Sequence, residues 1–217
     1  MENTFKKSLA VIGAVVVSAL LAITICGCAK KSESKTSSSS DVKYSADNFK
    51  QTDAVEIQVA NYGTIKVGLD ANAAPITVAN FKQLVSDGFY NGLTFHRIIS
   101  GFMMQGGDPK GDGTGGSEKT IKGEFTENGV ENLLAHTRGA ISMARSSAND
   151  SASSQFFIVH QTSSNNSKSL DGKYCCFGYV LEGMEVVDKI IADAKPTDSN
   201  GTIPAASQPK ITSIKLL

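Results

Sequence analysis

The sequence lacks the features that mark several common classes of protein. It has no tryptophan, and its 21 basic and 21 acidic residues give a formal net charge of zero. A balanced charge argues against a nucleic-acid-binding surface. The absence of a CxxC pair argues against a zinc or redox site, the three histidines lack metal-ligand spacing, and no GxSxG motif marks a hydrolase nucleophile. We therefore expect no nucleic-acid partner, no metal and no hydrolytic serine.

The N-terminus has the pattern of a bacterial export signal. Two lysines precede an apolar stretch at residues 9–25, which is shorter than the roughly 20 residues of a typical membrane span. Ile25, Gly27 and Cys28 then follow in an arrangement that resembles a lipobox, in which the cysteine is lipidated and becomes the first residue of the mature chain. An uncleaved membrane anchor is the alternative, and both interpretations place the domain outside the cytoplasmic membrane.

A segment rich in serine and lysine follows the predicted lipidation site. It has almost nothing to bury, so its composition predicts a flexible tether. We therefore divide the chain into a signal peptide (1–27), a tether that carries lipid on Cys28 (28–50) and a folded domain (51–217). The expected location is the outer face of the bacterial cytoplasmic membrane, and the expected oligomeric state is a monomer.

The folded domain has the pattern of an all-β protein. Val55, Ile57 and Val59 alternate with polar residues and predict the first strand of a β-hairpin. Apolar residues at helical spacing predict two helices, one opening at Pro75 and one near Met184. Further strands are predicted at residues 94–99, 102–105, 140–143, 156–159, 175–181 and 210–217. Many short strands with two helices argue for a barrel or sandwich that the helices cap.

The most informative segment is residues 95–108, with the sequence FHRIISGFMMQGGD. It places an arginine, a glutamine and large apolar side chains close together, without a nucleophile–base pair. This combination suits a site that binds an apolar group and polarises a polar group next to it. Four further motifs follow, at residues 113–116, 141–144, 154–158 and 170–173, the last with residues 177–178 behind it. In this order the five motifs resemble the signature of the cyclophilins, a family of peptidyl-prolyl cis-trans isomerases.

The resemblance covers residues 54–217 and implies a closed, eight-stranded antiparallel barrel capped by two α-helices. It also implies non-covalent catalysis without a cofactor. The X–Pro bond rotates slowly because its partial double-bond character sets a barrier of about 18–20 kcal/mol. That barrier falls when the prolyl nitrogen lone pair leaves conjugation, which requires an apolar pocket for the ring and a donor near the nitrogen.

The resemblance assigns these parts to particular residues. Arg97 matches the catalytic arginine, and Gln105 matches the polar residue that orients it and the substrate backbone. The residues that match the proline pocket are Phe102, Met103, Phe157 and Leu170, with Tyr174 covering the ring. The residues that match the groove for the rest of the peptide are Gly113, Ala144, Arg145, Ser146 and Gln155. The implied partners are X–Pro segments of exported or surface polypeptides.

Two departures from the family pattern stand out. Ser169 occupies the place of a tryptophan that many eukaryotic members carry, and Tyr174 occupies the place of a histidine. Without the indole N–H, we expect weak inhibition by cyclosporin. The preceding loop, residues 161–169, is longer than the common eukaryotic form. The alternative function for the domain is a proline-peptide binding module or holdase with little catalysis.

Several residues also have plainer interpretations. Taken alone, Arg97 would be a structural arginine in a salt bridge. Residues 111–116 satisfy GxGxxG, but no helix pattern follows them, so a turn is the better interpretation than a dinucleotide site. The histidines are expected to be hydrogen-bonded structural residues, with His96 on the opposite strand face from Arg97. The adjacent Cys175 and Cys176 are expected to be small core residues on opposite faces of a strand.

Overall fold

The computed structural model describes residues 42–217. The strands are β1 (Asp53–Val59), β2 (Gly63–Leu69), β3 (Thr94–Ile99), β4 (Met103–Asp108), β5 (Ala140–Met143), β6 (Phe156–Val159), β7 (Cys176–Glu182) and β8 (Ile211–Leu216). The α-helices are α1 (Pro75–Ser86), α2 (Ser164–Leu170) and α3 (Met184–Asp193). Short 3-10 helices span Ala46–Asn48, Thr126–Asn128 and Ala205–Ser207. Within residues 42–217, no helix has the length and apolar character that crossing a bilayer requires.

All eight strands form one antiparallel sheet in the order β3-β4-β6-β5-β7-β2-β1-β8. The edge strands β3 and β8 meet at an isolated bridge between Thr94 and Lys210 and at a hydrogen bond of 2.9 Å from the Phe95 N–H to the Pro209 carbonyl. The predicted all-β barrel is therefore confirmed. Its closure is looser than predicted, because a bridge and a few loop hydrogen bonds join the edges instead of a continuous ladder.

The first two strands form the predicted hairpin. Val55, Ile57 and Val59 are buried, while the residues between them are partly exposed. Asn61 lies in the turn with a φ of 67°, a conformation that asparagine tolerates better than most residues, and Gly63 follows with a φ of 128°. The period-two pattern in the sequence thus correctly identified which face of β1 enters the core.

The helices follow the predictions with one correction. Helix α1 begins at Pro75 and α3 at Met184, as expected. The segment predicted as a loop at residues 161–169 instead forms most of a third helix, α2. Its sequence, SNNSKSL, has no apolar stripe, so periodicity gave no signal. Tertiary contacts anchor it instead, because the Asn166 amide donates to the Gly101 and Gln161 carbonyls and Leu170 is buried.

Two apolar clusters lie on opposite faces of the sheet. The inner cluster fills the barrel, and its largest members are Phe81, Tyr90, Phe95, Phe125, Phe156 and Phe177. The outer cluster includes Met103, Phe157 and Leu170. Cys175 belongs to the inner cluster and Cys176 to the outer one, which confirms the expectation for this pair. Burial raises the pKa of both thiols, so both remain neutral.

The predicted boundary between tether and domain needs a correction. The composition places residues 45–50 in the tether, but Ser45, Phe49 and Lys50 contact the barrel. The Ser45 N–H donates to the Leu133 carbonyl at 3.0 Å, and the Lys50 N–H donates to Asp70 Oδ2 at 2.7 Å. The ring of Phe49 packs edge-on against Tyr179 with centroids 5.2 Å apart. The folded unit therefore begins before residue 51, and the rest of the predicted tether up to residue 41 lies outside the described residues.

Candidate active site

The candidate site is a row of side chains that crosses four neighbouring strands. Register pairs Arg97 on β3 with Gln105 on β4, Gln105 with Phe157 on β6, and Phe157 with Ser142 on β5. Residues directly opposite each other share a face of the sheet. On each strand, a residue adjacent to the row points into the barrel; these residues are Ile98, Met104, Ile158 and Ile141. The barrel core therefore supports the row from behind.

Hydrogen bonds from two of its three nitrogens, Nε and Nη1, fix the Arg97 guanidinium. Its Nε donates to the Asn200 carbonyl at 2.7 Å, and its Nη1 donates to Gln105 Oε1 at 3.2 Å. Both acceptors are neutral, and no ion pair among residues 42–217 includes Arg97, so the salt-bridge interpretation is wrong. Partial burial lowers the pKa of Arg97, but a guanidinium stays protonated near neutral pH. A partly buried cation thus lies beside Gln105, and its Nη2 has no hydrogen-bond partner among residues 42–217.

A second chain of hydrogen bonds sets the direction of the Gln105 amide. The Gln155 Nε2 donates to the carbonyls of Gly113 at 3.1 Å and Gly115 at 2.7 Å. Only the oxygen of Gln155 is then left to accept, and it takes a hydrogen bond of 2.8 Å from Gln105 Nε2. The oxygen of Gln105 must therefore point toward Arg97. In this way the loop carbonyls determine the orientation of the residue that holds the arginine.

A small apolar pocket lies beside Gln105. It has a volume of about 110 Å³. Its lining residues are Phe102, Met103, Gln105, Ala144, Arg145, Phe157, Leu170 and Tyr174. Met103, Phe157 and Leu170 are almost fully buried, so the walls are packed rigidly, and the rings of Phe157 and Tyr174 meet edge-on with centroids 6.0 Å apart. Such a pocket suits a compact apolar ring.

A larger polar cavity of about 340 Å³ adjoins the apolar pocket. The two share Gln105, Ala144 and Arg145 as a common wall. The predicted groove residues Gly113, Ser146 and Gln155 line the larger cavity, together with Thr114–Ser117, Ser151 and Ser153. The structure thus brings together every predicted site residue of the domain except Arg97, which lines neither cavity but is bonded to Gln105. Cys28 lies outside the described residues.

The arrangement supports binding and polarisation. An apolar recess lies next to a fixed cation, and the Arg97 Nη1 is 3.9 Å from Met103 Sδ in the recess wall. Within residues 42–217, no group of three or more His, Cys, Asp or Glu side chains is arranged to hold a metal ion. The side chains of the site can supply hydrogen bonds and a positive charge to a bound apolar ring.

Comparisons with known proteins agree with this site. A model of the family described as cyclophilin type peptidyl-prolyl cis-trans isomerase/CLD matches residues 54–216. Peptidyl-prolyl cis-trans isomerase B of Bacillus subtilis (strain 168) is 50% identical over 121 residues, covering 56% of this chain and 78% of that protein. A peptidyl-prolyl cis-trans isomerase of Acinetobacter baylyi is 47% identical over 135 residues, covering 60% and 68%.

A solved structure gives the same result. It is the crystal structure of a Cryptosporidium parvum cyclophilin type peptidyl-prolyl cis-trans isomerase in the presence of the dipeptide Ala-Pro. It matches with a TM-score of 0.65 and 30% identity, covering 76% of this chain and 98% of that one. The chain belongs to the cyclophilin family. This cyclophilin is a peptidyl-prolyl cis-trans isomerase, as the sequence motifs predicted.

Sequence reasoning misjudged one residue beside the cyclophilin site. A β-bulge pairs Phe95 with Gly106 and Arg97 with Gln105, which leaves His96 without a partner and breaks the alternation of side chains. His96 and Arg97 consequently line the same cavity of about 280 Å³, not opposite faces. Both ring nitrogens of His96 are buried without a hydrogen-bond partner, so the prediction of a satisfied histidine is wrong here. A bulge leaves no signal in the hydrophobic pattern.

The other two histidines are hydrogen-bonded, as predicted. His160 Nδ1 accepts from the Gly101 N–H at 2.9 Å. His136 joins Asp171 Oδ1 at 2.8 Å through Nδ1 and Ser142 Oγ at 2.9 Å through Nε2. This Ser–His–Asp chain has the connectivity of a hydrolase triad. Ser142 and His136 are completely buried, however, so no substrate reaches them, and the chain instead supports Phe157, against which His136 stacks.

In the glycine-rich loop at residues 111–116, backbone N–H groups donate hydrogen bonds to the side chain of Asp108, which lies just before the loop. Strand β4 ends at Asp108, and the N–H groups of Lys110, Asp112 and Gly113 donate to Asp108 at 2.8, 3.2 and 2.6 Å. No α-helix follows the loop until α2. The amides that would bind a phosphate in a dinucleotide site are thus already satisfied. The turn interpretation of residues 111–116 is confirmed.

Proposed function

We propose that this cyclophilin accelerates rotation about X–Pro bonds in exported or surface polypeptides, by non-covalent catalysis. The proline ring occupies the small apolar pocket beside Gln105. The peptide runs on through the larger polar cavity. Polypeptides that fold outside the cell have no access to ATP-driven chaperones, and slow X–Pro isomerisation is a step that an unassisted isomerase can accelerate.

Arg97 is the proposed catalytic residue. As the X–Pro bond twists, the prolyl nitrogen becomes pyramidal and gains a lone pair that accepts a hydrogen bond. A guanidinium held beside the ring donates to this nitrogen in the twisted state and hardly at all in the planar state. An interaction that strengthens only in the transition state raises the rate and not merely the affinity.

One observation gives the main support for catalysis over simple peptide binding. The chain of hydrogen bonds from the loop carbonyls through Gln155 and Gln105 to Arg97 holds a cation at the edge of an apolar pocket. A binding module needs the pocket but has no use for a donor oriented by two amides. The preorganised donor therefore supports catalysis over simple capture of proline-containing peptides.

The location outside the cytoplasmic membrane rests on the sequence of residues 1–28. The lysines, the apolar stretch and the lipobox-like cysteine support a lipid anchor on Cys28. Mass spectrometry of the mature protein from a bacterial host tests this. We expect an N-terminal peptide that begins with a diacylglyceryl-modified Cys28, and no lipid on a Cys28→Ala variant. An unmodified N-terminus in the wild type would refute the anchor.

The catalytic proposal is tested by isomerisation of a short X–Pro peptide. We expect the wild-type chain to accelerate the reaction and Arg97→Ala to lower kcat/KM at least about 100-fold, within the range that mutagenesis gives for removal of one transition-state donor. Arg138→Ala is the matched control, because Arg138 pairs with Asp188 and lines neither cavity. We expect this control to keep wild-type activity.

The outcomes separate the two candidate functions. Wild-type activity in a folded Arg97→Ala variant would refute the mechanism. Peptide binding without acceleration in the wild type would favour the binding module or holdase.

A further inference from the structure

The apolar pocket and the polar cavity share a wall, and side chains that flank a bound proline lie close to this wall. This inference rests on the proposed function, in which proline occupies the apolar pocket. Consecutive Cα atoms are about 3.8 Å apart, so where the peptide runs from the apolar pocket into the polar cavity, a residue one or two positions from the proline lies close to the shared wall. Its side chain therefore passes Ala144 and Arg145, which belong to both cavities.

Arg145 is held rigidly in this wall. Its guanidinium lies over the ring of Tyr174 at 4.8 Å and near the ring of Phe125 at 5.1 Å. Its Nε donates to the Lys173 carbonyl at 3.0 Å, and its Nη1 donates to the carbonyls of Ser146 and Ser147 at 3.0 and 3.3 Å. Because the side chain is already ordered, a ligand that contacts it does not have to restrict it further.

The charge of Arg145 is not neutralised by the protein. Every acceptor that it contacts is a neutral carbonyl, and no ion pair among residues 42–217 includes it. Its Nη2 has no hydrogen-bond acceptor within the described part of the chain. No aspartate or glutamate lines either cavity, whereas hydroxyl donors from Thr114 and several serines do. The groove thus offers donors and a cation but no anion.

We propose that Arg145 is a specificity-determining residue that selects prolines flanked by an acidic side chain. A glutamate or aspartate within two positions of the proline places its carboxylate against the free Nη2 of the guanidinium, which donates a charge-assisted hydrogen bond to it. A lysine at the same position meets the like charge of Arg145 and finds no carboxylate in the lining of either cavity. The preferred substrate class is therefore acidic X–Pro segments.

A charge series of peptides tests this in the full-length chain. The peptides differ only by Glu, Gln or Lys, placed in turn at the two positions before the proline and at the position after it, with an all-alanine Ala-Pro peptide as reference. We expect kcat/KM to fall in the order Glu, Gln, Lys at one position or more. The ratio of Glu to Lys should be about fivefold, the upper end for a partly exposed ion pair, and should shrink in about 0.5 M salt.

Variants assign the effect to Arg145. Arg145→Gln should reduce the ratio of Glu to Lys to about one, and Arg145→Lys should retain part of it. Arg138→Gln, the matched control, should leave the ratio at the wild-type value. Circular dichroism shows whether each variant is folded. If Arg145→Gln is unfolded, the wild-type series and its salt dependence still decide the question.

The possible results discriminate between the two proposals. Equal rates for Glu and Lys peptides at every position would overturn the selectivity while leaving isomerase activity intact. A ratio that persists in a folded Arg145→Gln variant would overturn the assignment to Arg145. If the reference Ala-Pro peptide is not accelerated, the proposed function fails and the selectivity fails with it.

Discussion

Gly178 lies where strands β7 and β2 come into direct backbone contact. A Cβ at this position would clash with the carbonyl oxygen of Gly68 and crowd the Cα of Leu69. Backbone atoms of two central strands cannot move apart without breaking the ladder. We expect Gly178→Ala to lower the free energy of unfolding by about 3 kcal/mol, the upper end of the usual range for overpacking in a core, as measured by urea denaturation.

The matched control for this substitution is Gly129→Ala. Gly129 has a φ of 75° and nothing within 4 Å of an added Cβ, so only backbone strain opposes the alanine. That strain costs about 1 kcal/mol. A Gly178→Ala variant no less stable than Gly129→Ala would show that the two strands can separate more easily than their contact implies.

His96 makes the stability of the protein depend on pH. Burial lowers its pKa, and the charge of Arg97 acts in the same direction, while Asp108 and Asp112 oppose the shift. An unfolded histidine takes up a proton near pH 6.5, whereas folded His96 does so only at lower pH. Its contribution to stability is therefore complete above about pH 6.5 and is lost as the pH falls toward the folded-state pKa.

We expect the free energy of unfolding to decrease between about pH 7 and pH 5, the window below the unfolded pKa of histidine. In a His96→Gln variant this decrease should be smaller. His160, whose pKa burial also lowers, should account for part of the slope that remains. Urea titrations at several pH values measure both slopes. An identical slope in the variant would mean that His96 gains a proton as readily in the folded state as in the unfolded chain.

At the scale of single elements, helix α1 depends on a residue far away in sequence. Ala74 precedes the helix and provides no side-chain cap. Instead, the Ile76 N–H donates to Glu124 Oε1 at 3.0 Å and the Thr77 N–H donates to Glu124 Oε2 at 2.7 Å. A buried carboxylate at a helix N-terminus satisfies two free amides and interacts favourably with the helix dipole.

We expect Glu124→Ala to lower the free energy of unfolding by about 2–3 kcal/mol, because two amides at the helix N-terminus, one of them buried, lose a charged acceptor. Glu124→Gln should cost less, since its single amide oxygen still accepts one hydrogen bond. Glu127→Ala, at an exposed glutamate nearby, is the control and should have little effect. Equal stability of the two alanine variants would indicate that water replaces the carboxylate at the helix end.

Strand β4 and helix α2 differ in how well their own sequences predict them. Residues 103–105 alternate outward, inward and outward on β4, and the apolar run in the sequence predicted this strand. Helix α2 shows the opposite case, because its polar sequence gave no helical signal. Ser169 lies within α2, and the weak inhibition by cyclosporin that we expect from this residue stays a prediction.

For the molecule as a whole, the N-terminal approach to the barrel is part of the fold. Phe49, the Lys50 N–H and the Ser45 N–H each contact a different part of the domain. We expect a fragment of residues 51–217 to be less stable than residues 42–217 by about 2 kcal/mol, the order expected for losing a half-buried ring and two hydrogen bonds. Thermal and urea denaturation of both fragments measure the difference.

Both fragments should keep isomerase activity, because no residue between 42 and 50 lines either cavity of the site. Equal stability of the two fragments would show that these contacts do not contribute to the folded state. Loss of activity in the shorter fragment would reveal an effect of this segment on the site that its position does not suggest.

Within residues 42–217, the sequence by itself determined the all-β fold class, the eight strands, two of the three helices and the motifs whose family resemblance assigned the candidate site residues. These follow from local periodicity and from motifs whose members lie within a few residues of one another. Only the tertiary structure decided the loose closure of the barrel, helix α2, the bulge at His96, the buried chain from Ser142 to Asp171 and the unpaired charge of Arg145. Each depends on contacts between segments far apart in the chain, and packing, not periodicity, decides which of those contacts form.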